Sequence, residues 1–566
     1  MMKLFLCLLC AVILSACSFN KQALESAKPI DDVIFHWFEY EGRDAIFANK
    51  PPQGHYQNPI ISGFYPDPSI VRVDHDYYMV HSSFGYYPGL PVFHSKDLVN
   101  WSLIGHGLHS QEQLQFNSSQ DISRGIFAPT IRHHKGLFYI ITTDVDGIGN
   151  FYITANDPAG PWSKPVTLPE IDGIDPDIFF DDDGRVYIAH NGPPKGTPLY
   201  DGHRAIWLWE FNLKQEKIIP ESGRIIVNGG ANLREEPIWI EAPHIYKKDG
   251  WYYLSCAEGG TSVNHSQVVF RTRKLSEPFE PYKNNPILTQ RDLSDDRQNP
   301  ITSAGHADFV KTHDGQWWAV FLAIRPYEGG FHNTGRETYM LPVSWRDQWP
   351  HILGKNTEIP LTHKAPFPDQ KTSNAARAQT GNFTFRDEFN TQKLDLNWAT
   401  VLTSEQAWSA LKGDHLALKP KSVALRDHGQ PAFLAHRQQH NNFSASTKMD
   451  LPKQANVTAG LAIFQNSEHN YFFGVELKDG RYILKLEKNQ KKGMTTLPPV
   501  KLGKASGSIT LGVEQDSTML HFFTQDKNGM KKYVFKGADA SNLSTQVAGG
   551  FVGVTVGPHA RVNSSD

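Results

Sequence analysis

The sequence has few cysteines, no sustained helical periodicity, no long apolar run and no excess of charge of either sign. Each lack excludes a class of protein. Only 4 cysteines occur in 566 residues, and two of them, Cys7 and Cys10, sit inside the N-terminal apolar run. That leaves Cys17 and Cys256, too few for a disulfide framework. No stretch repeats apolar residues every 3.6 positions, which argues against a helical bundle. The apolar run Leu4–Leu14 is too short to span a bilayer. Lys and Arg total 56 against 59 Asp and Glu, and the basic residues form no stripe, so nothing marks a nucleic-acid surface. None of the 25 histidines has the spacing of a zinc-binding helix. A phosphate-binding loop, a dinucleotide fingerprint and a strand–Ser–helix nucleophile elbow are all missing.

The N-terminus does carry a signal. Lys3 gives a short basic start, the apolar run follows, and small residues precede Cys17. Met1–Ala16 therefore reads as an export signal. Leu14-Ser15-Ala16-Cys17 resembles the bacterial lipobox. That resemblance implies cleavage before Cys17 and lipidation of its thiol, with 17–30 as a tether. Ser18, rather than Asp, favours the outer membrane in a Gram-negative source. The expectation is an exported, lipid-anchored protein facing the periplasm or the cell surface.

Aromatic residues make up 12% of the chain, and paired aromatics mark a repeat. Five times, a short apolar strand enters a tight turn, usually Asp-Gly, and leaves on an aromatic strand. The runs are 67–78, 128–139, 175–187, 241–253 and 306–318. Five repeats spaced at roughly 50–65 residues predict a five-bladed β-propeller over 57–360. Asp183, Asp249 and Asp314 each follow Asp175, Glu241 and His306 by eight residues (183−175, 249−241, 314−306). In the first run the equivalent position holds Asp67. In the second it falls at Phe127 or Ala128. One position per blade converges on a single funnel, so the ring would carry Asp67, an aromatic, Asp175, Glu241 and His306.

Alone, Asp67 in Pro66-Asp67-Pro68 reads as a turn residue, and Asp175-Pro176-Asp177 invites the same reading. Glu241 is harder to dismiss, because apolar Ile238-Trp239-Ile240 precedes it and burial raises a carboxyl pKa. Three acids together at the foot of a funnel serve no structural need and are costly to bury. Two carboxyls across a funnel suit hydrolysis of a glycosidic bond: one protonates the leaving oxygen, the other activates water. A gap of roughly 6.5–9.5 Å admits that water and gives inversion. A third acid beside the proton donor would hold its proton on by like-charge repulsion.

Several runs together then resemble glycoside hydrolase family 43, of the β-xylosidase and α-L-arabinofuranosidase type. They are Asn58-Pro59-Ile60, Gly63-Phe64-Tyr65-Pro66-Asp67-Pro68-Ser69, His94-Ser95-Lys96-Asp97-Leu98-Val99-Asn100-Trp101, Gly125-Ile126-Phe127-Ala128-Pro129, Glu241-Ala242-Pro243-His244, Glu258-Gly259-Gly260-Thr261, Gly305-His306-Ala307 and Gly335-Arg336-Glu337-Thr338. The resemblance implies Asp67 as general base, Glu241 as general acid, and Asp175 as the acid that tunes and orients Glu241. It implies Phe84 and Phe127 as the sugar platform, although many relatives carry Trp where Phe127 stands. Thr261, His265 and Arg336 would contact sugar hydroxyls. His306 would lie near the axis, where relatives hold a calcium ion or a water; the chemistry itself would need no cofactor. The implied substrate is a hemicellulose oligosaccharide or polysaccharide, losing a terminal β-D-xylose or α-L-arabinofuranose with inversion. An endo-arabinanase is a second enzyme reading. A non-catalytic glycan-binding surface protein is the rival outside enzymes, and it would release no nitrophenol from aryl pentosides.

Pro366, Pro368 and a polar stretch end the repeats, and 381–566 reads as a concanavalin-like antiparallel β-sandwich. The pattern Tyr471–Leu477, Asp479-Gly480, Tyr482–Leu486 predicts a hairpin within it. Val33–Tyr40 carries large apolar residues on both faces: Val33, Phe35 and Trp37 on one, Ile34, Phe38 and Tyr40 on the other. In the family that the chain resembles, the sandwich ends on a strand of the form Asp-Phe-Asp-Trp-Phe-Glu-Tyr. Ile34–Tyr40 looks like that strand, so residues 31–42 are expected to complete the C-terminal sandwich, as in a circular permutation.

Overall fold

The computed structural model describes residues 30–294, 296–369, 377–403, 407–502 and 507–563. The expected export signal (1–16), Cys17 and the tether up to residue 29 lie outside the described residues. The architecture is all-β; among the described residues the one α-helix is the four-residue turn Thr545–Ala548.

Five sheets form the propeller. Their inner strands are Ser69–Val73, Thr130–His134, Ile174–Phe180, Glu241–Lys248 and Thr302–Lys311. Each pairs antiparallel with the next strand of its own blade. Blade 4 turns through Asp249 and Gly250, both at positive φ (50° and 74°), between the paired residues Lys248 and Trp251. Asp-Gly serves here because the two-residue turn that matches strand twist needs φ > 0 at both positions. The segment before blade 1 closes the ring. Ile60 N–H donates to Thr338 O at 2.8 Å and Ile61 bridges Thr338, so blade 5 gains its outer edge from the start of the domain. Apolar layers such as Tyr139, Ile141, Ile178 and Ile188 fill the space between neighbouring blades.

Two further sheets form the sandwich. One is built around Phe443–Asp450, the other around Val457–Phe464 and Thr555–Val562. The hairpin turning at Asp479-Gly480 joins Asn470–Lys478 to Arg481–Gln490. Val33–Gly42 lies inside the first sheet. It pairs with Phe443–Met449 on one side, and with Leu416–Leu418 and Thr384–Asp387 on the other. A bulge between Phe35 and Trp37 changes which residues face the core. Val33, Phe35, Phe38 and Tyr40 are buried, while Trp37 packs outside against the Arg386 guanidinium at 4.3 Å. The simple alternation read from sequence fails here, because one extra residue inverts the faces beyond it.

The two domains share a buried seam. Arg325 bonds Glu337 at 2.7 and 2.8 Å and Asp44 at 2.8 Å, and Asp44 accepts from the backbone N–H groups of Asn441 and Asn442. The strand pair Thr400–Val401 and Tyr86–Tyr87 also crosses from sandwich to blade 1.

Candidate active site

The inner strands begin irregularly, and that irregularity builds the site. Asp67, Asp175 and His306 hold φ of 54°, 56° and 55°, and Ala242 holds 51°. Non-glycine residues rarely adopt this left-handed backbone, which is found where function over-determines the local structure. In blades 3, 4 and 5 the pairing register slips at this point. Each slip is a bulge that re-aims a side chain at the strand's funnel end. The count from the turns needs one correction. Glu241 pairs with Ala257 and aligns with Ile174 and Gly305, one residue ahead of Asp175 and His306. The turns explain this: blades 3 and 5 use five residues between paired ends, blade 4 only two.

The three acids converge and are nearly sealed from solvent, at 3% exposure for Asp67 and 6% for both Asp175 and Glu241. Their environments divide them. Burial works to raise Asp67, but Arg336, His306 and Ser82 outweigh it and hold the carboxyl below its usual value. Arg336 Nη1 donates to Asp67 Oδ1 at 2.6 Å, and Ser82 donates to Oδ2. Burial raises Asp175, and the charge of Asp67 raises it further; the Ala242 N–H at 3.2 Å opposes only partly. Burial also pushes Glu241 well up, with Asp175 and Asp67 adding to it. One carboxylate is therefore kept ionised beside a pair that keeps a proton.

The rings expected at the platform meet. Phe84 and Phe127 lie 5.2 Å apart between centroids. A third ring, Phe551 from the sandwich, stacks on Phe84 at 5.9 Å and contacts Phe127 at 5.8 Å. The Arg336 guanidinium sits 5.6 Å from Phe84 and 5.8 Å from Phe551. Neither Phe551 nor Ser82 carries a sequence signal. Phe551 lies 215 residues from Arg336, whose Nη2 donates to its carbonyl at 3.4 Å.

His265 Nδ1 bonds the Ser303 carbonyl at 3.0 Å, and burial pushes the ring down to about 4. A carbonyl only accepts, so Nδ1 carries the proton. Nε2 is then a buried lone pair with no partner among the described residues. Thr261 is placed on the loop that leads to His265, half-buried, with no side-chain hydrogen bond among the described residues. Burial drives His306 to about 3, and its Nδ1 stands 3.8 Å from Asp67 Oδ1.

A calcium ion near His306, as the resemblance implies, would have to draw most of its oxygen ligands from water. Calcium takes six to eight oxygen ligands. The carboxylate of Asp67, whose Oδ1 lies 3.8 Å from His306 Nδ1, is already engaged by Arg336 and Ser82. Further along the inner strands a cation is already in place. Arg132 pairs with Asp177 at 3.1 Å and Asp308 at 2.9 Å, and donates to His244 Nδ1 at 3.1 Å. Ser69 and Tyr246 each donate to Asp308 at 2.6 Å.

Comparison with known proteins bears on the frame that holds these residues. Residues 56–350 match the family model of glycosyl hydrolases family 43, and 386–565 match that of the beta xylosidase C-terminal concanavalin A-like domain. A xylosidase/arabinosidase of Butyrivibrio fibrisolvens is 39% identical over 89% of this chain and 96% of its own. The non-reducing end alpha-L-arabinofuranosidase BoGH43B of Bacteroides ovatus is 34% identical over 90% and 92%. The crystal structure of a GH43_12 protein from a capybara gut metagenome superposes with a TM-score of 0.86 at 38% identity, covering 94% of this chain and all of that one. The funnel of paired acids thus sits in a two-domain frame shared with named glycosidases, and the chain belongs to glycoside hydrolase family 43.

Proposed function

We propose that this hydrolase removes a terminal pentose, β-D-xylose or α-L-arabinofuranose, from hemicellulose oligosaccharides with inversion of configuration. The observation that carries the reading is the opposed ionisation of three sealed carboxyls. Asp67 is held ionised by Arg336 and Ser82, while Glu241 and Asp175 are driven to keep a proton. Glu241 then protonates the glycosidic oxygen as the bond to the anomeric carbon breaks. Asp67 takes a proton from the water that attacks the opposite face. Asp175 accepts from the backbone N–H that follows Glu241, and the two buried carboxyls resist ionising together, so the pair keeps a proton for Glu241 to donate. Phe84, Phe127 and Phe551 would pack the sugar ring, and the bare His265 Nε2 and Arg336 would take its hydroxyls. No step calls for a bound metal. The names of the relatives support both pentoses. Proton NMR of the first product decides the stereochemistry: an inverted anomer is expected, and a retained one overturns the mechanism. Relative rates on aryl xyloside and aryl arabinofuranoside decide the sugar.

The same reading places the enzyme at a membrane through lipid on Cys17. It rests on the lipobox-like Leu14-Ser15-Ala16-Cys17. Cys17→Ser should abolish incorporation of labelled fatty acid and release the enzyme from the membrane fraction. Labelling of the Ser variant equal to that of the parent would remove the anchor from the proposal.

A further inference from the structure

Trp239, two residues before Glu241, is a bulky aromatic held at φ 60°. That backbone is costly for such a residue, so the surroundings must enforce it. They do. Trp239 N–H donates to Gly202 O at 2.9 Å, and Gly259 N–H donates to the carbonyl of Ile238 at 2.8 Å. Tyr200 hydroxyl reaches the carbonyls of Pro237 and Gly229 at 2.9 and 3.0 Å. The ring nonetheless stays 37% exposed.

One face of the ring is backed by Arg204, whose guanidinium carbon lies 4.9 Å from its centroid. Arg204 is fixed in turn. Its Nε and Nη2 donate to Asn191 Oδ1 at 3.1 and 2.8 Å, and Asn191 Nδ2 donates to the carbonyl of Ile240 at 2.5 Å. Nη1 makes no hydrogen bond among the described residues. The Arg204–Asn191–Ile240 chain ends on the residue before Glu241, which places the pair at the acid's side of the funnel, and the guanidinium acts electrostatically on both Glu241 and Asp175. A flat ring and a spare donor, both preorganised next to a proton donor, suit a pyranose: its C–H face stacks and a hydroxyl accepts.

We propose that Trp239 and Arg204 form the subsite for the leaving-group sugar, the xylopyranose unit from which the terminal pentose is cut. The assignment rests on Glu241 as the general acid, since the leaving group must lie on that residue's side. The sugar ring stacks on Trp239, and Arg204 Nη1 donates to one of its hydroxyls.

The test uses the full chain and two substrates. One is xylobiose or arabinofuranosyl-xylose, whichever the unsubstituted enzyme cleaves. The other is the matching pentosyl fluoride, which has no leaving-group sugar. Trp239→Ala should lower kcat/KM on the disaccharide by about tenfold or more and leave the fluoride within about twofold. Trp239→Phe should recover most of the loss. Arg204→Met should lower the disaccharide rate more than the fluoride rate, since it removes the hydroxyl donor as well as a charge near Glu241 and Asp175, and Trp239→Leu covers the case in which Trp239→Ala does not fold. Equal losses on both substrates, or an unchanged disaccharide rate, would overturn the subsite. An unsubstituted enzyme that cleaves neither substrate would instead remove the hydrolase reading, and the subsite with it, a result seen before any variant is made.

Discussion

Asp67 and Glu241 are the same chemical group driven in opposite directions, and Arg336 is the main counter-charge. Turnover needs Asp67 ionised and the Glu241–Asp175 pair protonated. Asp67 is depressed, so activity should persist below the ordinary carboxylate range on the acid side. The pair is raised, with Asp175 pushed up to about 8, so the alkaline fall should come above neutrality. Arg336 lowers all three groups. Arg336→Met should therefore move both limbs of the kcat/KM profile to higher pH; movement of the acid limb downward would contradict the assignment. Glu241→Gln should reduce turnover at least about 10²-fold on a natural disaccharide and less on a nitrophenyl pentoside, whose leaving group needs little protonation. Equal damage on both would displace Glu241 as the acid. These three acids were legible because each sits in a repeated local pattern. Ser82, Phe551, Arg204 and Trp239 were not, because their roles come from contacts across blades and domains that no local pattern encodes.

At the scale of strands, bulges decide what the alternation cannot. Counting back from the turn misses the one-residue lead of Glu241, because the Asp-Gly turns of blades 3, 4 and 5 differ in length. The N-terminal strand repeats the lesson. Its burial was legible from two apolar faces, but the bulge after Phe35 moves Trp37 outward and turns Phe38 and Tyr40 in. Tyr40 packs on Phe443 at 5.3 Å, and its hydroxyl bonds His440 Nδ1 at 3.0 Å. Phe35→Ala should cost about 3–5 kcal/mol of stability, as for a sealed aromatic. Trp37→Ala should cost only about 1 kcal/mol, because it loses a half-buried stack on Arg386 rather than a sealed core contact. Denaturant unfolding of both variants checks this. Equal losses would mean the faces alternate as the bare sequence suggests.

For the whole molecule, the chain order couples the domains. Val33–Gly42 is laid into the sandwich before any propeller residue is reached, and the remaining sandwich strands come after all five blades. The propeller is thus tethered at both ends to one sheet, and its closure by Ile60 and Ile61 lies just beyond that strand. Sandwich loops also finish the active site. Val554 N–H donates to Asn333 O at 2.8 Å and Phe551 N–H to Ser123 at 3.0 Å, which fixes the third ring of the sugar box. Removing 381–566 should therefore abolish activity in any truncated chain. Solubility should depend on what is left behind. A chain of 31–365 keeps the N-terminal strand with both edges unpaired and Val33, Phe35, Phe38 and Tyr40 bared, each worth about 1.5–3 kcal/mol when buried. Such an edge invites strand-to-strand aggregation. A chain of 49–365 lacks that edge, so it should give more soluble monomer than the longer 31–365, the reverse of the usual penalty for cutting deeper. Size-exclusion chromatography of the two compares them directly. Soluble, fully active 31–365 would show that the propeller carries the site alone and that the N-terminal strand has no need of its sheet.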